Sequence, residues 1–184
     1  MKKLFTTITL SLTVALFFAI TAFAKNQKNT ADDTKVKWVP IQSAVETAKA
    51  QNKKFIFVHI YTDWCGWCKK MEDNVFTDQA ILADFDADFV PVKFNAETQE
   101  VIQFNGTSYG FDNSGKRGAN KLALELGNVG GKIGYPTLVV LDASGKKLQT
   151  FPGFKDVQTL NELLNYFQSG SYQKMDFQQF QAGQ

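Results

Sequence analysis

From Phe55 to Tyr61 the chain is a continuous run of aromatic and β-branched residues with one polar member, His59. A run of this kind is the signature of a strand covered on both faces, so the fold needs a layer on each side of a sheet. It leads straight into Asp63-Trp64-Cys65-Gly66-Trp67-Cys68, after which the apolar spacing becomes helical as far as Phe85. A strand ending in Cys-x-x-Cys at the start of a helix constrains both architecture and chemistry. Cys65 falls at the helix N-terminus, where unpaired backbone N–H groups and the macrodipole favour thiolate over thiol. Thiolate is the form that attacks a disulfide. Cys68, one turn further in, is placed to resolve the mixed disulfide that results. Lys69 and Lys70 add positive potential, and Asp63 opposes it.

Two other readings of the cysteines are weaker. A bridge across two intervening residues closes a very small loop, so it removes little entropy from the unfolded chain and staples poorly. Zinc needs about four ligands, and this chain has two Cys and one His. Neither a metal nor a cofactor is expected.

Around this centre the pattern alternates. Val36–Val39 reads as a short strand ended by Pro40, and Ile41–Ala50 has helical apolar spacing. Thr77-Asp78 interrupts the helix after Cys68, and Asp78 can cap a second segment. Phe89–Phe94 reads as a buried strand. Asn95–Lys116 loses regular pattern, and Arg117–Leu126 resumes as a helix stopped by Gly127. Thr137–Leu141 and Lys147–Phe151 form a hairpin about Asp142-Ala143-Ser144-Gly145. Asp156–Phe167 is an amphipathic helix, and a polar, Gln-rich tail covers 169–184. This order predicts an α/β domain over 36–168, a central mixed sheet with helices on both faces.

The N-terminus reads as a targeting segment. Met1-Lys2-Lys3 is basic, Leu4–Ala24 carries no charge, and Ala22-Phe23-Ala24 ends in a small-x-small site. A cleaved signal peptide over 1–24 and export to the periplasm or beyond are expected. An uncleaved membrane anchor is the alternative. Lys25–Lys35 is polar and expected to be disordered. Cleavage would remove Lys2 and Lys3 and leave basic and acidic residues equal in number. That balance gives no reason to expect nucleic acid as a partner. One domain acting as a monomer is expected.

The segment Tyr61-Thr62-Asp63-Trp64-Cys65-Gly66-Trp67-Cys68-Lys69-Lys70-Met71-Glu72 resembles the active-site segment of thioredoxin-like proteins. With Asn74-Val75-Phe76-Thr77-Asp78 it is most similar to the C-terminal periplasmic domain of DsbD-type thiol reductases and their free-standing relatives. Gly134-Tyr135-Pro136-Thr137 before an apolar strand resembles the family's cis-proline loop. The resemblance implies a thioredoxin fold and a redox-active Cys65/Cys68 pair. It also implies a Tyr135–Pro136 loop that receives client backbone, with Trp64 and Trp67 shaping the surface beside it. Protein disulfides and an upstream thiol electron donor are the implied partners. A binding or chaperone module that uses the proline groove without turnover is the alternative.

The sequence departs from the family at three places. The dipeptide between the cysteines is Gly-Trp rather than Gly-Pro. Position 59, where thioredoxins commonly bury an acid, is histidine; Lys93 matches the lysine that neighbours that acid. His59 is therefore either a buried, hydrogen-bonded, neutral imidazole or the proton acceptor for Cys68. The third departure is the insertion at 95–116 between the second core strand and the next helix. It is expected to border the active site, and to be replaceable by a short linker with little loss of stability.

Overall fold

The computed structural model describes residues 35–114 and 116–183. The expected signal peptide, and the linker apart from Lys35, lie outside the described residues. Among those residues, no helix is long and apolar enough to cross a membrane.

The apolar run forms strand β1 (Phe55–Tyr61) at the interior of a four-stranded sheet. β1 lies beside β2 (Phe89–Asn95) in parallel and β7 (Thr137–Asp142) in antiparallel register, and β8 (Lys147–Pro152) completes the sheet outside β7. Strand alternation sends Phe55 and Phe57 to one face and Ile56, Val58 and Ile60 to the other, and each set enters a different buried cluster. The first face carries α2 (Gly66–Asn74), α3 (Gln79–Asp88), α5 (Val157–Gln168) and α6 (Phe177–Ala182). The second carries α1 (Ala44–Ala50) and α4 (Lys121–Gly127). The sheet is mixed and covered on both faces, as the sequence pattern predicts. Asp78 caps α3 as expected, accepting from the Ala80 and Ile81 N–H groups.

Four elements differ from the sequence reading. The strand expected at Val36–Val39 is reduced to a single bridge, in which the Val39 N–H donates to the Pro91 carbonyl at 2.9 Å. The insertion is more regular than expected. It contains β3 (Ile102–Phe104), β4 (Thr107–Tyr109) and β5 (Phe111–Asp112), the last paired with β6 (Ala119–Asn120). The helix expected from Arg117 begins only at Lys121, because Gly118 turns at φ +67° and Ala119-Asn120 pair as a strand. Asn120 then caps the helix, accepting from the Leu122 N–H.

The C-terminal tail is also a correction. Asp176 and Gln179 form a capping box that starts α6, and Phe177 and Phe180 are buried against Tyr166, whose hydroxyl donates to the Met175 carbonyl. Two apolar residues at i and i+3 suffice to dock one short helix, and their Gln-rich setting hides them from a hydropathy reading.

The β3–β4 hairpin lies over the second face, where Ile102 and Phe104 join the buried cluster. Its tip reaches the β7–β8 turn, where the Asn105 amide donates to the Ser144 carbonyl at 3.0 Å. β7 runs antiparallel to β1, so that turn is at the sheet end away from Cys65. The hairpin is part of the core's lid, and the expectation that it could be removed at little cost does not hold. At about 1.5–3 kcal/mol for each buried large apolar side chain, Ile102 and Phe104 contribute a substantial share of a marginal total.

Candidate active site

β1 delivers the chain to Cys65 at the N-cap of α2. Cys65 and Cys68 are joined in a disulfide with Cα atoms 5.2 Å apart. The Cys68 backbone N–H donates to Cys65 Sγ at 3.1 Å, so the helix terminus already aims a donor at the sulfur that would carry charge on reduction. The two cysteines hardly differ in exposure. Cys65 is 4% exposed and Cys68 1%. What distinguishes the two is the N-cap position of Cys65.

Two tryptophans flank the pair, both well exposed, Trp64 at 52% and Trp67 at 57%. Trp64 packs edge-on to Tyr135 with centroids 5.8 Å apart, and the Tyr135–Pro136 peptide is cis. Trp67 lies 5.3 Å from Phe154, with the Lys70 ammonium 4.9 Å from its ring centroid. Phe154 is held near by the turn after β8. The Gly153 N–H donates to the Pro136 carbonyl at 2.8 Å, while the Lys155 ammonium donates to the Pro152 and Gly153 carbonyls. Of the residues singled out by sequence, Trp64 meets Tyr135 and Trp67 stands exposed beside the cysteines, while Pro136 is buried. Phe154 and Lys155 were missed. The signal was available in Pro152-Gly153-Phe154, a turn directly after a strand that pairs with the proline loop.

His59 is elsewhere in the site, on the first face of β1 and fully buried. Trp38, Tyr61 and Phe76 surround its ring at 6.2, 5.9 and 5.0 Å. Neither ring nitrogen hydrogen-bonds to another described residue. Burial, aided by the Lys93 charge, lowers its pKa to about 3. The ring is therefore neutral at physiological pH, as one sequence reading held, but it is not hydrogen-bonded as that reading expected. The same burial disfavours the other reading, since an imidazole whose conjugate acid is so weak is a poor proton acceptor near neutrality.

Lys93, opposite His59 in the β1–β2 register, turns to Glu72 of α2. Its ammonium is 2.7 Å from Glu72 Oε2 and 4.4 Å from the Tyr61 ring centroid. With histidine at position 59, the carboxylate that neutralises Lys93 comes from the half-exposed flank of the helix.

The insertion reaches the site at its start, through Glu97, and the residue that follows it, Arg117, joins it there. The Trp64 indole N–H donates to Glu97 Oε1 at 2.9 Å, and the Arg117 guanidinium lies 4.9 Å from the Trp64 ring centroid. Glu97 also reinforces the rise of the Tyr135 pKa, which burial chiefly causes. Sequence reasoning missed both residues. The one hint was that Arg117 is the only arginine in the chain.

Known proteins place this arrangement. Residues 41–168 match the thioredoxin-like domain family. A protein disulfide-isomerase from Ricinus communis is 30% identical over 110 residues, covering 60% of this chain; the chain spans only 18% of that relative's length. A thioredoxin-fold protein from Helicobacter pylori superposes with a TM-score of 0.54 at 15% identity, covering 84% of this chain and 89% of that one. A thioredoxin from Thermus thermophilus gives 0.51 at 17% identity, covering 72% and 87%. By the match across its whole sheet and the disulfide at the N-cap of α2, the chain belongs to the thioredoxin-like family of disulfide oxidoreductases.

Proposed function

We propose that the protein is an exported thiol:disulfide oxidoreductase that reduces disulfides in protein clients. The observation that carries this is Cys65 Sγ at the N-cap of α2, already receiving the Cys68 N–H and already paired with Cys68. In the reduced protein the Cys65 thiolate attacks one sulfur of a client disulfide, forming a mixed disulfide and releasing the other sulfur as a thiolate. Cys68 then gives up its proton, through solvent, to the client thiolate just released and attacks Cys65 Sγ. This restores the Cys65–Cys68 disulfide and releases the second client thiolate. The client gains two electrons, which an upstream dithiol donor must return to the pair.

Trp64, Trp67 and the Tyr135–Pro136 loop support a polypeptide client, with the Tyr135 backbone offering strand-like hydrogen bonds to it. Lys93, paired with Glu72, is a supporting charge near the buried end of the site. His59 serves as a neutral, buried packing residue, and the Cys68 proton leaves by another route. Export follows from the leader-like Met1–Ala24, and the reductive direction from the resemblance of the active-site segment to exported reductases.

Insulin reduction with dithiothreitol tests the activity. The wild-type chain should accelerate it and Cys65→Ser should not; equal rates remove the reading. Cys68→Ser should accumulate mixed disulfides with clients. Equilibration against glutathione sets the direction: a potential near about −270 mV marks a reductant and one near about −120 mV an oxidant.

A further inference from the structure

Trp64 is half-exposed, yet three partners fix it: the Glu97 carboxylate on its N–H, the Arg117 guanidinium on its face and Tyr135 at 5.8 Å. We propose that Glu97 and Arg117 are positioning residues for protein clients. They hold Trp64 against Tyr135, so that the two rings form a fixed wall for an extended polypeptide on either side of its disulfide. The inference rests on the thiol–disulfide exchange reading and adds to it the class of substrate the insertion selects.

Each stem is held in place without Trp64. The Glu97 N–H donates to Asn95 Oδ1, and the Asn95 amide donates to Asp63, so the end of β2 is tied to the active-site loop. Arg117 precedes Gly118, where a Cβ would stand 2.6 Å from the Phe111 ring and 2.7 Å from the Asp112 carbonyl at a φ of +67°. Only glycine makes that turn without displacing the strand beside it. Asn120, fully buried, closes the base. Its amide donates to the Glu100 and Tyr109 carbonyls, and its backbone N–H to the Ala96 carbonyl.

The residue types fit the task. A guanidinium is planar and stacks on an indole as an ammonium does not, and the chain uses its one arginine here while every other basic residue outside His59 is lysine. Among the described residues Arg117 forms no ion pair. A carboxylate accepting the indole N–H then fixes the ring's rotation as well as its position. A small disulfide presents little beyond its sulfurs to Cys65, and so does not meet this wall. A polypeptide continues past the sulfurs and does. The clamp therefore acts on polypeptide KM.

The test compares Arg117→Ala and Glu97→Ala with wild type on two substrates, a short peptide closed by one disulfide and the uncharged bis(2-hydroxyethyl) disulfide. Arg117→Ala should lose about fivefold and Glu97→Ala about tenfold in peptide kcat/KM, the factors expected from an exposed cation–π contact and a charge-assisted hydrogen bond. The loss should appear in KM, with the rate toward the small disulfide within about twofold of wild type by the same measure. Glu97→Gln keeps an acceptor for the indole and should recover most of the peptide rate. Arg117→Lys keeps the charge without the plane and should recover less. Equal losses on both substrates, or peptide KM values unchanged in both alanine variants, overturn the proposal. A wild-type protein that exchanges neither substrate fails the exchange reading itself and takes the proposal with it.

Discussion

The two flanks of the cysteine pair are built in different ways. Trp67, the near flank, takes Lys70 from three residues along its own helix and Phe154 from a turn that hydrogen-bonds to the proline loop. Trp64, the far flank, takes Glu97 from one side of the hairpin and Arg117 from the other. The near flank joins the helix after Cys65 to the turn after β8. The far flank exists because an extra hairpin is anchored in the second core and returns its ends to the active-site side. The Trp64 side is the one the hairpin's ends reach, and client choice is sought there.

The strongest way to break the comparison is to unseat the hairpin from below. Phe104 is buried in the second core far from both tryptophans. Phe104→Ala should cost about 3–5 kcal/mol, the range for emptying a buried aromatic site, read as a fall in the midpoint of urea unfolding with unchanged slope. In the fraction still folded, peptide exchange should weaken in the same direction as in Arg117→Ala. A cost below about 1 kcal/mol would mean that the hairpin is peripheral and that Glu97 and Arg117 are held by their own ends alone.

His59 sharpens the comparison by touching neither flank. Its recorded ring neighbours are Trp38, Tyr61 and Phe76, Lys93 is its cross-strand partner, and Glu72 neutralises Lys93. Its folded pKa of about 3 lies below the ordinary value of 6.5. Between those values the unfolded chain binds a proton that the folded one does not. The stabilisation is therefore complete above pH 6.5 and is lost as pH falls toward 3. The loss should be on the order of 3 kcal/mol before carboxylates titrate. His59→Leu should flatten that stretch of the stability–pH curve and leave Cys65 reactive. An unaltered curve would show that water reaches the imidazole and that it titrates normally.

The sequence made the sheet, its two covered faces and the cysteine pair legible, because each rests on a local signal. Phe55–Tyr61 is apolar throughout, Asp78 sits where a cap must, and Cys65 follows a strand directly. The near flank was half legible, since Trp67 stands out and Phe154 does not. The far flank was not legible. No pattern within 95–116 says that Ile102 and Phe104 go down into a core while Glu97 and Arg117 stay at the site, because that sorting is made by contacts with α1, α4 and Trp64. The burial of His59 carried a consequence, a weak conjugate acid, that residue type alone does not give. The final helix was missed for a similar reason: Phe177 and Phe180 matter only because Tyr166 is there to receive them.

The smallest effect should come from the near flank. The Lys70 ammonium sits 4.9 Å from the Trp67 centroid and 5.5 Å from that of Phe154, so one cation bridges both rings. All of this is solvent-facing, and an exposed cation–π contact contributes only about 0.5–1 kcal/mol. Lys70→Ala also removes a positive charge in the helix that begins at Cys65, which weakens the support for its thiolate. The two consequences separate by substrate. Loss of the ring contact should slow a peptide client alone, whereas loss of charge should slow peptide and small disulfide together and raise the Cys65 pKa. Lys70→Met keeps an apolar stem over the rings without the charge, so any peptide rate it retains over Lys70→Ala is the share carried by packing of the stem. Both variants should reduce peptide exchange by less than about fivefold, the ceiling set by so weak a contact. A Lys70→Ala loss larger than that of Arg117→Ala would reverse the ranking of the two flanks and place client choice on the Trp67 side.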